Sequence, residues 1–302
     1  MEIKAINATM ISTKGKFNAY PLLLFFILFL SYDALAVGPQ AISLALLDTG
    51  HCIKKLANLN NDRSVIKIVE AQDATRGRPA VVDCEKAQVR DKKYHGYFML
   101  QSLVGELKKL STPAYLITIV PIQIFDKEGI SKSAYWETAL QLAKKEKVDF
   151  VIAAAGIAFD PHQKQQLEST FWQDFTLPIF LSAGNWGGKI KEKMQLWPQV
   201  LHRPNMIVIG DYLGPNGNGQ IFFNKSLLNV EIIDYYFPSQ HPDYLLTGNS
   251  LAVSLAFSGM LKVCSSAEVL GEGNKLEGCL KAKKKTLKIS APAKFPEKYF
   301  TY

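Results

Sequence analysis

The sequence predicts an α/β fold, a three-layer α/β/α sandwich around a mainly parallel central sheet. Two observations predict it. Short apolar runs alternate with segments of helical periodicity from residue 41 to residue 264. Two of the polar residues with the most chemical potential, Asp48 and Asn185, fall just beyond such runs, where open parallel sheets collect their functional groups.

The elements follow in chain order. Residues 41–47 are a short apolar run, the mark of a buried strand. Met99, Leu103, Leu107 and Leu110 recur at helical spacing. Residues 115–125 are rich in β-branched side chains and read as a strand. Trp136, Ala139, Leu140 and Ala143 mark one face of an amphipathic helix. Residues 148–155, 177–183 and 206–210 read as three further buried strands, and 235–237 (Tyr-Tyr-Phe) as core or edge strand. Residues 250–264 are apolar nearly all round, which predicts a buried helix. Residues 214–219 (Gly-Pro-Asn-Gly-Asn-Gly) are a turn-rich loop. No G-x-G-x-x-G follows the first strand and there is no P-loop, so a nucleotide-binding reading lacks its phosphate cradle.

The first 36 residues read as a secretory signal peptide. Lys14 and Lys16 precede an apolar run over 21–30, and Ala34-Leu35-Ala36 supplies an A-x-A cleavage site. Export, to the periplasm or the medium, is the expected localisation, with no membrane span after cleavage. The remaining 266 residues suit one domain, residues 37–302. The formal charge of +8 is concentrated at the end, where residues 275–302 hold eight lysines and two glutamates. That is a Lys-rich tail, from about residue 281, that reads as a solvated segment or as an attachment to anionic lipid or polymer; the body is nearly neutral, so no nucleic-acid partner is expected. Four cysteines in an exported chain permit disulfides. Three pairings are open, and the sequence-local one joins Cys52 to Cys84 and Cys264 to Cys279.

Four segments carry the chemistry: Asp48-Thr49-Gly50, His95-Gly96, Ala183-Gly184-Asn185 and Gly248-Asn249-Ser250. A serine hydroxyl becomes a useful nucleophile at neutral pH only beside a base, and the base needs a third group to hold its tautomer. Ser250 heads an apolar helix, whose N-terminus favours an oxyanion at its backbone N–H. Gly248 permits the tight turn before it. His95 is the candidate base, with Gly96 allowing close approach beside it. Asp48, at a strand end, would orient the imidazole. Asn185 would donate its amide to the oxyanion. His51, next to the Asp48 turn, reads as a surface or rim residue; His162, His202 and His241 fall in polar loops, and Trp186 reads as either cleft border or packing.

The order Asp, His, Asn, Ser, with 90 residues from His95 to Asn185 and 65 from Asn185 to Ser250, resembles the subtilisin-like serine proteases. The resemblance covers almost all of residues 37–302. It implies a serine endopeptidase that acts on a peptide or protein, works as a monomer and needs no cofactor. A structural calcium is compatible with the family, but Asn58-Leu59-Asn60-Asn61-Asp62 lacks the EF-hand pattern. It also implies that Ala154, Ala155 and Gly156 pair with a bound peptide by strand addition, and that Gly184 borders the substrate. The chain departs from the family's motifs. It has His95-Gly96-Tyr97-Phe98 where His-Gly-Thr-His is usual, and Asn249 and Leu251 where Thr and Met flank the nucleophile. No propeptide is expected between Ala36 and the first strand. These departures support two alternatives: an inactive binding protein of the same fold, and an esterase or peptide ligase using the same triad.

Overall fold

The computed structural model describes residues 40–51, 66–75, 78–79, 94–110, 115–159, 170–184, 195–213, 222–223, 235–238, 248–264, 269, 276 and 278–280. The expected signal segment, Cys52, Cys84, residues 58–62, His162, Trp186, the loop 214–219, His241 and the Lys-rich tail lie outside the described residues. So does Asn185.

The first strand, β1 (Gln40–Asp48), shows how the sequence builds the layers. Side chains alternate between the faces of a strand. Ile42, Leu44 and Leu46 enter one buried cluster, while Ala45 and Leu47 enter another on the opposite face. A strand apolar on both sides must be covered on both sides, and β1 lies inside the sheet, between β5 (Tyr115–Gln123) and β6 (Phe150–Ala153), parallel to both. The sheet continues through β8 (Ile179–Ser182) to β10 (Met206–Leu213), again in parallel. The strand β12 (Tyr235–Pro238) pairs in parallel with β10, and β2 (Ile66–Ile68) and β3 (Gln72–Asp73) pair in parallel with β5. The antiparallel members are β4 (Arg78–Pro79), on β3, and β11 (Phe222–Phe223), on β10. Two more short strands, β7 (Ile157–Phe159) and β9 (Gln195–Trp197), pair antiparallel as a small separate sheet.

Helices cover both faces. On one lie α1 (His95–Lys108) and α3 (Asn249–Val263), packed against each other. The expected spacing holds in α1, where Met99, Leu103 and Leu107 are buried. In α3 twelve of fifteen residues are buried, which fits its all-round apolar sequence. Phe257 of α3 lies 5.6 Å from Phe150 and 5.8 Å from Phe180, ring centre to ring centre, fixing the helix over β6 and β8. On the opposite face, Trp136, Ala139, Leu140 and Ala143 of α2 (Ser133–Lys145) are buried. Trp136 meets Trp197, which meets Trp172, at 5.7 and 5.1 Å. Large side chains buried in this way each contribute about 1.5–3 kcal/mol.

Beyond α3, Cys264 is disulfide-bonded to Cys279, as the sequence-local pairing expects. Among the described residues no helix is long and apolar enough to cross a membrane.

Candidate active site

Strand register brings the candidate residues to one edge. Leu47 is level with Ala153 on β6, and Ala153 is level with Leu181 on β8. The next residues, Asp48, Ala154 and Ser182, therefore stand together at the carboxyl ends of three adjacent parallel strands.

Asp48 is 1% exposed and accepts a hydrogen bond from the Thr49 N–H at 2.6 Å. Its carboxylate also meets Nδ1 of His95, at 2.8 Å to Oδ1 and 3.0 Å to Oδ2. With Nδ1 committed to Asp48, Nε2 is the ring nitrogen that a proton transfer can use. Burial alone would lower the pKa of His95, but the Asp48 charge and hydrogen bond act the other way, and the net shift is upward.

The imidazole is placed by docking the start of α1 onto the turn after β1. The Gly96 N–H donates to Thr49 Oγ1 at 2.8 Å. A Cβ on Gly96 would lie 2.8 Å from the Thr49 carbonyl oxygen, 3.0 Å from Asp48 Cβ and 3.0 Å from His51 Nε2. Glycine after His95 is thus a packing requirement, as its neighbourhood in the sequence implies.

That contact also corrects one expectation. His51 is not at the rim; it is fully buried, 0% exposed, and neither ring nitrogen has a hydrogen-bond partner among the described residues. Burial holds its pKa down at about 4, against an upward pull from Asp48 and with a further downward push from His95. It is therefore a neutral imidazole packed behind the Asp48–His95 pair. A polar residue beside a turn reads as exposed; here the start of α1 covers it. His202, by contrast, is exposed, as a histidine in a polar loop should be.

Ser250 is the second residue of α3 and 6% exposed. Its Oγ donates to the Ala154 carbonyl at 3.3 Å, which sets it at the same sheet edge as Asp48. Gly248 before the helix has φ +93°, a conformation that glycine adopts without strain. The first turn of α3 presents the positive end of a helix dipole at this point. Asn249 was missed as a structural part of the site. It is fully buried and donates its side-chain amide to the Gly184 carbonyl at 2.7 Å. The residue before the candidate nucleophile thereby holds the residue before Asn185. Gly184 has φ +82°, a turn conformation suited to glycine. A polar side chain between Gly248 and Ser250 was the available signal.

Ala154 is buried and Ala155 and Gly156 half-buried, immediately after β6. Gln199, in the short 3₁₀ turn Gln199–Leu201, was also missed: it is fully buried, and its amide nitrogen donates to the Ala155 carbonyl at 3.0 Å and the Ser182 carbonyl at 2.7 Å. Among the described residues no group of three or more His, Cys, Asp or Glu side chains is placed to hold a metal ion.

No protein-family model matches the chain, and no curated protein matches it. Solved structures do. The chain is similar to the crystal structure of a lanthipeptide protease at a TM-score of 0.59 and 16% identity, covering 84% of this chain and 82% of that one. The chain has a subtilisin-like fold. Weaker likenesses, both at a TM-score of 0.49, are to a mutant of the protease domain of PatA, at 15% identity over 79% of this chain and 84% of that one, and to MycP1 with its N-terminal propeptide removed, at 12% identity over 85% and 87%. In the subtilisin-like fold of this chain, Asp48 ends the central strand, while His95 and Ser250 begin two neighbouring helices on one face.

Proposed function

We propose that this chain is an exported serine endopeptidase with an Asp48–His95–Ser250 triad. The observation that carries the reading is the paired contact of His95 Nδ1 with the buried Asp48 carboxylate, at 2.8 and 3.0 Å, at the strand edge where Ser250 also lies.

In this reading Ser250 Oγ attacks the peptide carbonyl. His95 Nε2 takes the hydroxyl proton and later gives it to the leaving amine, while Asp48 stabilises the imidazolium that forms. The Ser250 N–H and the Asn185 amide receive the oxyanion. The substrate lies as an added strand against Ala154, Ala155 and Gly156, with Gly184 on its other side. Support comes from the shared strand edge, the subtilisin-like fold and the Asn249 contact that ties the start of the Ser250 helix to Gly184. Export rests on the layout of residues 1–36.

The test is labelling of the purified protein with a fluorophosphonate probe, together with cleavage of a peptide library. Wild type is expected to label and Ser250→Ala to lose the label completely. Equal labelling of both would remove Ser250 from the nucleophile role. Labelling with ester turnover but no peptide cleavage would favour an esterase.

A further inference from the structure

The strands β6 and β8 are hydrogen-bonded neighbours as far as Ala153 and Leu181, and their chains continue past that point as 154–156 and 182–184. Ser250 Oγ sits on the Ala154 carbonyl. A peptide carbonyl presented to Ser250 is therefore flanked by 154–156 on one side and 182–184 on the other. Among the described residues, the space between these two flanks is where the side chain of that acyl residue would enter.

A buried side chain bridges the two flanks. Gln199 is 0% exposed and spans the two flanks, donating to Ala155 O at 3.0 Å and Ser182 O at 2.7 Å. Those two carbonyls belong to strands leaving the sheet, and the buried amide satisfies both, which ties Gln199 in place. Leu196 of β9 is 1% exposed and presses on Gly156. A Cβ built on Gly156 would lie 2.7 Å from Leu196 Cγ, 2.8 Å from its Cδ1 and 3.0 Å from Gln199 Nε2. The β7–β9 pairing, with Ala158 level with Leu196, holds the leucine there. Residues that leave no room for one methyl group on Gly156 leave little depth beside it.

We propose that Leu196 and Gln199 close the acyl-residue crevice, so that this chain accepts glycine or alanine and excludes large side chains at the residue whose carbonyl meets Ser250. The inference rests on the serine-hydrolase reading above and names its substrate class.

The experiment uses N-acyl tripeptide thioesters that differ only in the acyl residue: Gly, Ala, Leu or Phe. Active enzyme is counted by fluorophosphonate labelling of Ser250. Wild type is expected to favour Ala over Phe by about a hundredfold in kcat/KM, the scale of discrimination that a shape-limited apolar pocket provides. Leu196→Ala is expected to raise the ratio of Phe to Ala turnover by about tenfold or more. Should Leu196→Ala lose its cooperative melt, Leu196→Val replaces it, and the wild-type ratio decides alone. A labelled wild-type enzyme that turns over Phe as well as Ala overturns the crevice inference and leaves the hydrolase reading intact. Absence of labelling overturns the hydrolase reading, and the crevice inference falls with it.

Discussion

The side-chain amide of Asn249 reaches the backbone carbonyl of Gly184 at 2.7 Å, joining the residue before Ser250 to the residue before Asn185. Two turns 65 residues apart are thus fixed to each other by one fully buried side chain. Asn249→Ala is expected to leave that carbonyl unsatisfied and to loosen the backbone at Gly184. Loss of one such buried partner costs about 1–3 kcal/mol, or about tenfold to a hundredfold in kcat if it is felt in the transition state. Steady-state kinetics checks it: kcat should fall with KM little changed, and a drop confined to KM would refute the positioning role.

In the proposed triad Asp48 fixes the tautomer of His95. Asp48→Asn keeps the shape but presents a donor or a weaker acceptor to Nδ1. The expected loss is on the order of 10⁴ in kcat, the size of this change in Ser-His-Asp enzymes. A loss below tenfold at neutral pH would show that the contact does not serve catalysis.

In the proposed mechanism the acid limb of activity follows from His95. A general base works only when unprotonated, and the His95 pKa is raised above 6.5. kcat/KM is expected to climb with pH through a midpoint above 6.5, and that midpoint should drop in Asp48→Asn. The effect on stability has the matching sign: protonated His95 favours the native state below pH 6.5, and this contribution is lost as pH rises through its folded pKa. A wild-type acid limb at or below pH 6.5 would contradict it.

His51 acts in the opposite direction. Its pKa is about 4 in the folded chain against 6.5 in the unfolded one. Between those values the unfolded chain takes up a proton that the native state refuses, so stability falls as pH drops, by about 1.4 kcal/mol per unit. His51→Leu is expected to remove this slope and to gain on wild type as pH falls from 6.5 toward 4. Urea denaturation at pH 5 and pH 8 measures it; identical pH dependence in both proteins would rule it out.

Gly96 has no space for a side chain, since its nearest obstacle, the Thr49 oxygen at 2.8 Å, is backbone. Gly96→Ala is expected to push the start of α1 off the turn after β1. The cost is about 1–3 kcal/mol in stability, with a loss of fluorophosphonate labelling that exceeds any loss of folded protein. A thermal melt paired with labelling rate checks both parts.

Much of the frame was legible because it depends on pattern. The apolar run over 41–47, the helical spacing of Trp136, Ala139, Leu140 and Ala143, and the all-round apolar segment after Ser250 each appear as the expected element. The Asp48 and His95 contact was legible through the order of the motifs and the resemblance it carries. What escaped depends on who packs against whom. β7 and β9 are three residues each, too short for periodicity, and are held by pairing with each other. Gln199 reaches carbonyls 44 and 17 residues away, which no local pattern encodes. His51 looks solvent-facing in a polar stretch, and only the arrival of α1 buries it.

The apolar cluster shared by α1, α3 and one face of β1 has a further meaning. His95 and Ser250 sit at the tips of two rods whose lengths share one close-packed apolar cluster, and their separation is a property of that filling. Trimming Met260 or Leu103, both buried well along the rods, would detune the site without touching it. Turnover would then report on the interior, as a pointer reports on the mechanism behind its dial.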